Sequence, residues 1–208
     1  MAKLDITKAN LAVERLLQVT ENPRHRYLLM AYYRHRFLEI AGRYEEIFAP
    51  EMTVESPVYH FHAIGINATL EGQEAVEGLY RAWAQTNQSI FYTDDEQVAV
   101  ADNFIASVST FYQQTLGKAL IANGIHVDDE NAYYTYNARV EMIWPYDDRC
   151  RLIGEDVWEP DPAKAVITKL NPADVLTTQE AAKLLDPLIK PLPSFDEMVG
   201  QKSRRAGK

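Results

Sequence analysis

The spacing of hydrophobic and polar residues predicts helices in the first part of the chain and strands in most of the rest. Apolar residues recur at helical spacing over residues 6–20, and Asn22-Pro23 then supplies a cap and a first-turn proline for a helix over residues 24–41. This second helix is apolar on more than one side, so we expect it to be largely buried. A third helix follows Gly72, with an apolar stripe that includes Tyr80.

The remaining body of the chain is typical of strands. Segments rich in β-branched and aromatic residues cover residues 52–62, 90–101, 104–115, 133–144 and 151–158. Pro57 confines the first of them to a sheet edge or a bulge. Helices followed by an antiparallel meander favour an α+β fold. The long connection over residues 116–132 is of a length often found in lids and binding loops.

The composition changes after Pro160, which predicts an extension added to the body. Residues 177–180 form a capping box that starts a short helix. Residues 163–199 contain too many apolar side chains to leave in water, so we expect the extension to pack on the body or on a neighbouring subunit, as a dimer or trimer. The predicted division is a body over residues 1–160, an extension over 161–200 and a disordered tail over 201–208.

Charge and cysteine usage narrow the choice of partners. The net charge of −9 argues against nucleic acids and anionic membranes, which need clustered cations. Cys150 is the only cysteine in the sequence, so a reducing compartment is the simpler interpretation. The N-terminus is not typical of a signal peptide, and no apolar run reaches membrane-spanning length. We therefore expect a cytoplasmic protein that binds small molecules.

Two stretches carry a family resemblance. APEMTVESPVYHFH at residues 49–62 and LEGQEAVEGLY at residues 70–80 resemble the first strand and third helix of the nuclear-transport-factor-like and SnoaL-like superfamily, and the strand resembles that of ketosteroid isomerases. The resemblance implies a cone-shaped, curved antiparallel sheet, an α+β barrel, with three helices in the N-terminal half enclosing one cavity. The C-terminal extension lies outside it.

The isomerase pattern can be placed on this sequence position by position. The aspartate that moves the proton falls on Ser56, and the neutral acid of the oxyanion hole falls on Val140. Because both acids are absent, steroid isomerisation by that mechanism is not expected. One isomerase phenol maps to Tyr80, and the other maps to either Tyr32 or His35, a choice the sequence leaves open.

Strand alternation supplies a candidate acid/base. Ser56, His60 and His62 share one strand face, so His60 faces the cavity if Ser56 does, provided that Pro57 does not change the register. A histidine titrates near neutral pH and suits proton transfer, although a hydrogen-bonded core or rim histidine is the alternative. His60 and His62 lack a third ligand nearby, so no metal site is expected.

The last strand offers a carboxylate. Either Glu155 or Asp156 points inward, and the isomerase-like register favours Glu155, whereas a solvated strand face is the alternative. A carboxylate beside a histidine would form a two-group acid/base arrangement. The candidate catalytic residues are His60, Glu155, Tyr80, Tyr32 and His35.

Aromatic and cationic residues supply candidate substrate contacts. Tyr134 and Tyr136 lie on one face of the long strand, where they either stack on an aromatic ligand or pack in the core. Lys118 or Arg81 could hold a phenolate. The candidate substrate-binding residues are Ser56, Tyr59, Arg81, Lys118, Tyr134, Tyr136 and Trp158.

A second resemblance implies a reaction. NPRHRYLLMAYYRHRFLE and WPYDDRCRLIGEDVW resemble segments of sphingomonad lyases that act on lignin-derived diarylpropane diols. The resemblance implies a reaction without a cofactor, in which the substrate loses water and formaldehyde to give a stilbene. His60 or Glu155 would be the proton donor. The alternatives are a dehydratase, cyclase or isomerase of a polyketide-like or terpenoid substrate, and a non-catalytic binding or assembly module. No cofactor is expected, because the sequence has no glycine-rich phosphate loop or full ligand set.

Overall fold

The computed structural model describes residues 5–200 and shows an α+β fold, as the sequence predicts. Short 3-10 turns connect several of its elements. The α-helices of the described chain are α1 (Leu11–Val19), α2 (Pro23–Ile40), α3 (Gln73–Gln85), α4 (Gly117–Ala122) and α5 (Thr178–Leu185).

The described residues also form a curved seven-stranded sheet that does not close. Its strands are β1 (Thr53–Ala63), β2 (Ile66–Glu71), β3 (Phe91–Val100), β4 (Phe104–Leu116), β5 (Tyr133–Pro145), β6 (Leu152–Trp158) and β7 (Val166–Lys169). The order is β2-β1-β6-β5-β4-β3, and β7 pairs with β5. The predicted antiparallel meander holds from β3 to β6, but β1 and β6 pair in parallel.

The start of β1 is irregular around Pro57. The pairing of β1 with β6 shifts register between Thr53 and Val58, so the predicted bulge is confirmed. The edge alternative does not apply, since β1 lies between β2 and β6. Gly154 permits the close approach of the two strands, because a Cβ there would lie 1.8 Å from the carbonyl oxygen of Val58.

The bulge and the tight strand pairing fix which side chains face the core. In β1 beyond the bulge, Tyr59 and Phe61 are buried while His60 and His62 are exposed. In β6, Glu155 and Val157 are buried while Asp156 is exposed. The concave face of the sheet therefore receives Tyr59 and Glu155, which are paired neighbours across the two strands.

Helix α2 lies against the concave face of the sheet. The Asn22 side chain accepts hydrogen bonds from the backbone N–H groups of Arg24 and His25, and Pro23 occupies the first helical position, as the sequence predicts. Residues on several sides of α2 are buried, so the prediction of a buried helix is confirmed. Helix α3 packs Val76, Tyr80 and Trp83 against the same interior.

The extension packs on the body of its own chain. Strand β7 pairs with residues 134–137 of β5, and the predicted capping box of Thr177 and Glu180 starts α5. Leu185 of α5 is fully buried. Strands β2 and β7 and helix α4 were not predicted from the sequence. The predicted disordered tail lies outside the described residues.

The connection over residues 117–132 does not reach the central cavity. It contains α4, and Asp128 accepts a hydrogen bond from the Tyr134 hydroxyl and pairs with Lys169 of β7. Among the described residues that line the cavity, none comes from this segment. In residues 5–200 no helix is long and apolar enough to cross a membrane.

Candidate active site

A narrow cavity lies between α2, α3 and the concave face of the sheet. Its enclosed volume is about 30 Å³. Aromatic and aliphatic side chains form most of its wall, and charged side chains enter from α2, β3 and β6. The lining residues that carry ionisable groups are Arg36, Glu39, Tyr59, Tyr80, Glu96 and Glu155.

Four side chains from four elements meet at one hydroxyl. The Tyr80 hydroxyl oxygen lies 3.0 Å from His35 Nε2, 3.2 Å from Glu155 Oε1 and 3.4 Å from the Tyr59 hydroxyl oxygen. His35 Nε2 lies 3.3 Å from the same Glu155 oxygen. The elements that supply them are α2, α3, β1 and β6, so the fold assembles a site that is dispersed in the sequence.

Burial favours the protonated form of Glu155. The side chain is only 5% exposed, and burial, reinforced by the nearby Glu39 carboxyl, raises the pKa of Glu155 well above its ordinary value. Hydrogen bonds from Tyr59 and Tyr80 oppose this shift but do not reverse it. Burial also raises the pKa values of both phenols. These shifts favour a cluster of uncharged hydrogen-bond donors.

Burial keeps His35 neutral as well. Its pKa falls to about 3, first because the ring is buried and then because the Arg36 guanidinium lies beside it. The edge of the ring packs on Trp144, with centroids 4.8 Å apart. His35 touches Tyr80 and Glu155 but does not line the cavity itself. It therefore orients these two groups and does not contact a ligand directly.

Glu39 brings a second carboxyl to the cavity. It lies one helical turn beyond His35 on α2 and is half-buried. Burial raises the pKa of Glu39 to about 8, and the charge of Arg36 limits the shift. A carboxyl with such a pKa can give up or take a proton near neutral pH.

A buried ion pair completes the polar wall. Arg36 Nη1 donates to both carboxylate oxygens of Glu96 at 3.0 Å, and Nη2 donates to the Thr93 hydroxyl at 3.0 Å. The guanidinium lies over the rings of Tyr32 and Phe91, with its central carbon 5.2 and 5.6 Å from their centroids. The positive charge of Arg36 is therefore compensated before any ligand enters.

Several predicted site residues lie at this cluster. Tyr59, Tyr80 and Glu155 line the cavity, and His35 joins them from behind. Of the two residues left open on α2, His35 contacts the cluster, whereas Tyr32 donates to the Ser107 hydroxyl at 3.2 Å. Of the two carboxylates left open on β6, Glu155 points inward.

The predicted inward position of His60 is wrong. Its side chain is 48% exposed on the outer face of the sheet, where Nδ1 lies 2.6 Å from Asp156 Oδ1. Alternation correctly places Ser56 and His60 on one face, but that face points outward, and Ser56 is exposed too. Trp158 lies on the same outer face, packed edge-on against His62.

The other predicted substrate contacts lie away from the cavity. Arg81 is exposed and pairs with Glu77 on its own helix, and Lys118 is exposed on α4. Tyr134 and Tyr136 face inward as predicted, but their hydroxyls bind Asp128 and Glu159 at the far end of β5. Neither tyrosine lines the cavity.

Sequence reasoning missed Arg36, Glu39 and Glu96. The available signal is the presence of Arg36 and Glu39 within a helix whose other residues predict burial, because buried charges require partners. Within residues 5–200 no group of three or more histidine, cysteine or acidic residues is arranged to hold a metal ion.

Comparisons with known proteins agree with the fold. No family model matches the chain, and no curated protein matches it. A structure from Jannaschia sp. CCS1, described as a SnoaL-like polyketide cyclase, matches 69% of this chain and 92% of its own with a TM-score of 0.51 at 12% identity. A second such structure, from Shewanella putrefaciens CN-32, covers 71% of this chain and 87% of its own, with a TM-score of 0.45 at 7% identity.

The Jannaschia structure establishes the fold of this chain. The chain has the fold of a SnoaL-like protein, as the two sequence stretches predict. At 12% identity the similarity extends to the fold and not to the reaction, because one fold supports many activities.

Proposed function

We propose that this protein is a cofactor-independent lyase that uses general acid–base chemistry on a small, apolar, oxygen-bearing molecule. The observation that carries the proposal is the Glu155 carboxyl, buried in the cavity wall and held by the Tyr80 hydroxyl at 3.2 Å. A carboxyl that stays protonated at neutral pH can donate to the oxygen of a substrate.

The rest of the cavity suits a reaction with developing positive charge on carbon. Breaking a carbon–oxygen bond leaves such charge, and aromatic faces stabilise cations. Five aromatic residues line the cavity besides the two tyrosines: Phe61, Trp83, Phe91, Phe111 and Trp144. Arg36 is neutralised by Glu96, so the site does not favour a permanently anionic molecule.

A lignin-type diarylpropane diol is the proposed substrate. The benzylic carbon–oxygen bond would break with its electron pair on oxygen, which takes a proton and leaves as water, while the ring phenol loses a proton to give a quinone methide. The hydroxymethyl group would then lose its hydroxyl proton and leave as formaldehyde. The bonding pair restores the aromatic ring, whose oxygen takes up a proton, and a stilbene results.

The size of the cavity limits how such a substrate binds. Its volume of about 30 Å³ is well below the roughly 300–1,000 Å³ of typical ligand pockets. One ring of a two-ring molecule can enter only if Leu79 or Met142, the half-buried aliphatic residues of the wall, move aside. A dehydratase or cyclase acting on a polyketide-like molecule is the second candidate, which the SnoaL-like fold favours.

A binding module without catalysis is less consistent with the site. Buried carboxyls with raised pKa values cost stability, and such groups concentrate at catalytic centres. A protein that only binds an apolar ligand has no need of two of them. Glu39 and Glu155 therefore favour an enzyme.

The test is turnover of a 1,2-diarylpropane-1,3-diol without added cofactor, followed by stilbene absorbance and formaldehyde release. Glu155→Gln removes the acidic hydrogen-bond donor and should lower turnover by ~10²-fold or more, the usual cost of losing one preorganised donor. Asp156→Asn, the adjacent residue that points outward, is the matched control and should leave turnover unchanged. Full activity of Glu155→Gln on the diol would contradict the proposal.

We also propose that the chain forms a dimer or trimer in a cytoplasmic setting. Ile143, Ile153 and Trp158 expose large apolar side chains on the outer face of the sheet. This face, rather than the extension that packs on its own body, is the better candidate for contact with another copy. Sedimentation at several concentrations tests this, and a monomer throughout would contradict it.

A further inference from the structure

The two carboxyls of the cavity have different surroundings. Glu155 is fixed by contacts with the Tyr80 hydroxyl and His35 Nε2. The carboxyl of Glu39 makes no hydrogen bond or ion pair with any residue in the described part of the chain, although it lines the same cavity. One carboxyl is anchored and the other is free to meet a ligand.

We infer that Glu39 is the catalytic residue that passes the proton to the substrate and takes it back, while Glu155 remains protonated as an anchored hydrogen-bond donor. This assignment rests on the proposed function and names the group that carries out its central step.

The charges around Glu39 support the role. Arg36 precedes it by three residues on α2, but this guanidinium is engaged by Glu96 on β3. Glu155 on β6 is close enough for the two carboxyls to interact, and a second ionised carboxyl there would be repelled. The ionisable groups near Glu39 from each packed element are His35 and Arg36 (α2), Tyr59 (β1), Tyr80 (α3), Glu96 (β3) and Glu155 (β6).

The proton balance of the step that loses water closes on Glu39 alone. The carbon–oxygen bond breaks with its pair on the leaving oxygen, which takes the Glu39 proton and departs as water. The substrate then holds the positive charge and Glu39 is a carboxylate. The carboxylate removes a proton from the cation, either from a phenol hydroxyl or from an adjacent carbon, and so returns to the acid. No oxidant, reductant or other co-reactant is needed.

The first experiment compares the pH dependence of diol turnover in three variants. In the wild type, turnover should fall as the pH rises through about 8, where Glu39 loses its proton. This fall is the alkaline limb of the pH profile. Glu39→Gln should lower turnover by ~10²-fold or more and remove the alkaline limb. Glu39→Asp keeps the acid on a shorter arm and should retain the limb at reduced turnover. Glu155→Gln should lower turnover but retain the limb.

The ion pair provides a second, directional test. Glu96→Gln frees the Arg36 charge to stabilise the Glu39 carboxylate, so the alkaline limb should move to lower pH. Asp95→Asn on the same strand is exposed and serves as the control, with no shift expected. A limb that stays in place in Glu96→Gln, with the variant folded, counts against the assignment.

The outcomes separate the two proposals. Full turnover and an unchanged limb in Glu39→Gln, with Glu155→Gln inactive, would overturn the role of Glu39 and leave the proposed function standing. If the wild type does not turn over the diol, the proposed function is contradicted for this substrate. NMR titration of ¹³C-labelled glutamate carboxyls, assigned with Glu39→Gln, still tests Glu39: titration near 8 supports the role, and titration below 5 overturns it.

Discussion

His35 Nε2 and Glu155 Oε1 lie 3.3 Å apart in the protein interior, yet burial disfavours the charged form of each side chain. Burial lowers the pKa of His35 to about 3 and raises the pKa of Glu155 well above its ordinary value. Each shift works against transfer of the proton from the carboxyl to the ring. His35 and Glu155 are thus placed at the distance of an ion pair but form an uncharged hydrogen-bond network. The Tyr80 hydroxyl is part of this network.

Replacing Tyr80 by phenylalanine should disturb this network. The variant removes a hydroxyl that lies within hydrogen-bond distance of three groups and leaves His35 and Glu155 without that partner. The free energy of unfolding should fall by ~1–3 kcal/mol, measured by urea denaturation. Tyr112→Phe, on a half-buried ring of β4 for which no hydrogen bond is seen within residues 5–200, should change it by less than ~0.5 kcal/mol. Equal effects of the two variants would contradict this account.

Replacing His60 by alanine should leave turnover within about twofold of the wild type, well short of the ~10²-fold expected for a general acid. The ring points outward and pairs with Asp156, and both side chains are about half exposed. An exposed pair of this kind contributes ~0–1 kcal/mol to stability. Steady-state turnover and urea denaturation measure both effects. A ~10²-fold loss of turnover would mean that the catalytic site lies on the outer face.

The difference between His60 and Glu155 shows what strand alternation can and cannot predict. Alternation groups the residues of a strand by face, and the groups that it gives for β1 and for β6 are correct in the structure. It does not say which face is concave, and placing His60 on the face of Ser56 overrode the apolar Tyr59 and Phe61, which mark the opposite face as the inner one. For β6 the isomerase-like register resolved the choice, and Glu155 was found.

Much of the fold follows from local patterns, whereas part of the site depends on distant partners. The cap at Asn22 and the capping box at Thr177 are local signals, and both are confirmed. The Arg36–Glu96 pair joins residues 60 apart in sequence, so only the folded chain shows that the two charges compensate each other. Strand β2 was missed because its residues alternate only between half-buried and exposed.

Breaking the Arg36–Glu96 ion pair should lower the free energy of unfolding. Both side chains are almost fully buried, so Glu96→Ala leaves the Arg36 charge without its partner. The expected loss is ~3–5 kcal/mol in the free energy of unfolding. The matched control is Glu77→Ala, which breaks the partly exposed pair with Arg81 on α3 and should cost ~0–1 kcal/mol. Similar losses in the two variants would show that burial does not set the cost.

Glu39 should make stability depend on pH with a definite sign. Its folded-state pKa is about 8 against an ordinary value of 4.5, so between these values the unfolded chain has released the proton and the folded chain has not. Stability from this group is fully present below 4.5 and is lost as the pH rises toward 8. His35 acts in the opposite direction between about 3 and 6.5, because its folded pKa is lowered.

The contribution of Glu39 can be isolated from that of His35. Glu39→Gln removes one titration and keeps the other, so the stability of the variant relative to the wild type should increase with pH from 4.5 to 8. Urea denaturation at closely spaced pH values measures the difference. A difference that stays constant across this range would contradict the raised pKa of Glu39.

The last prediction concerns the extension over residues 161–200. If it is part of the cooperative unit formed by the body, Leu185→Ala should destabilise the whole protein, since Leu185 is fully buried where α5 packs on the body. A buried leucine reduced to alanine costs ~2–5 kcal/mol. Its neighbour Leu184 is 48% exposed, so Leu184→Ala is a matched control that should change stability by less than ~0.5 kcal/mol. Far-ultraviolet circular dichroism and tryptophan fluorescence should then give one coincident unfolding transition for Leu185→Ala, at lower urea than the wild type. Two separate transitions, with only the first sensitive to Leu185, would instead make the extension an independent unit.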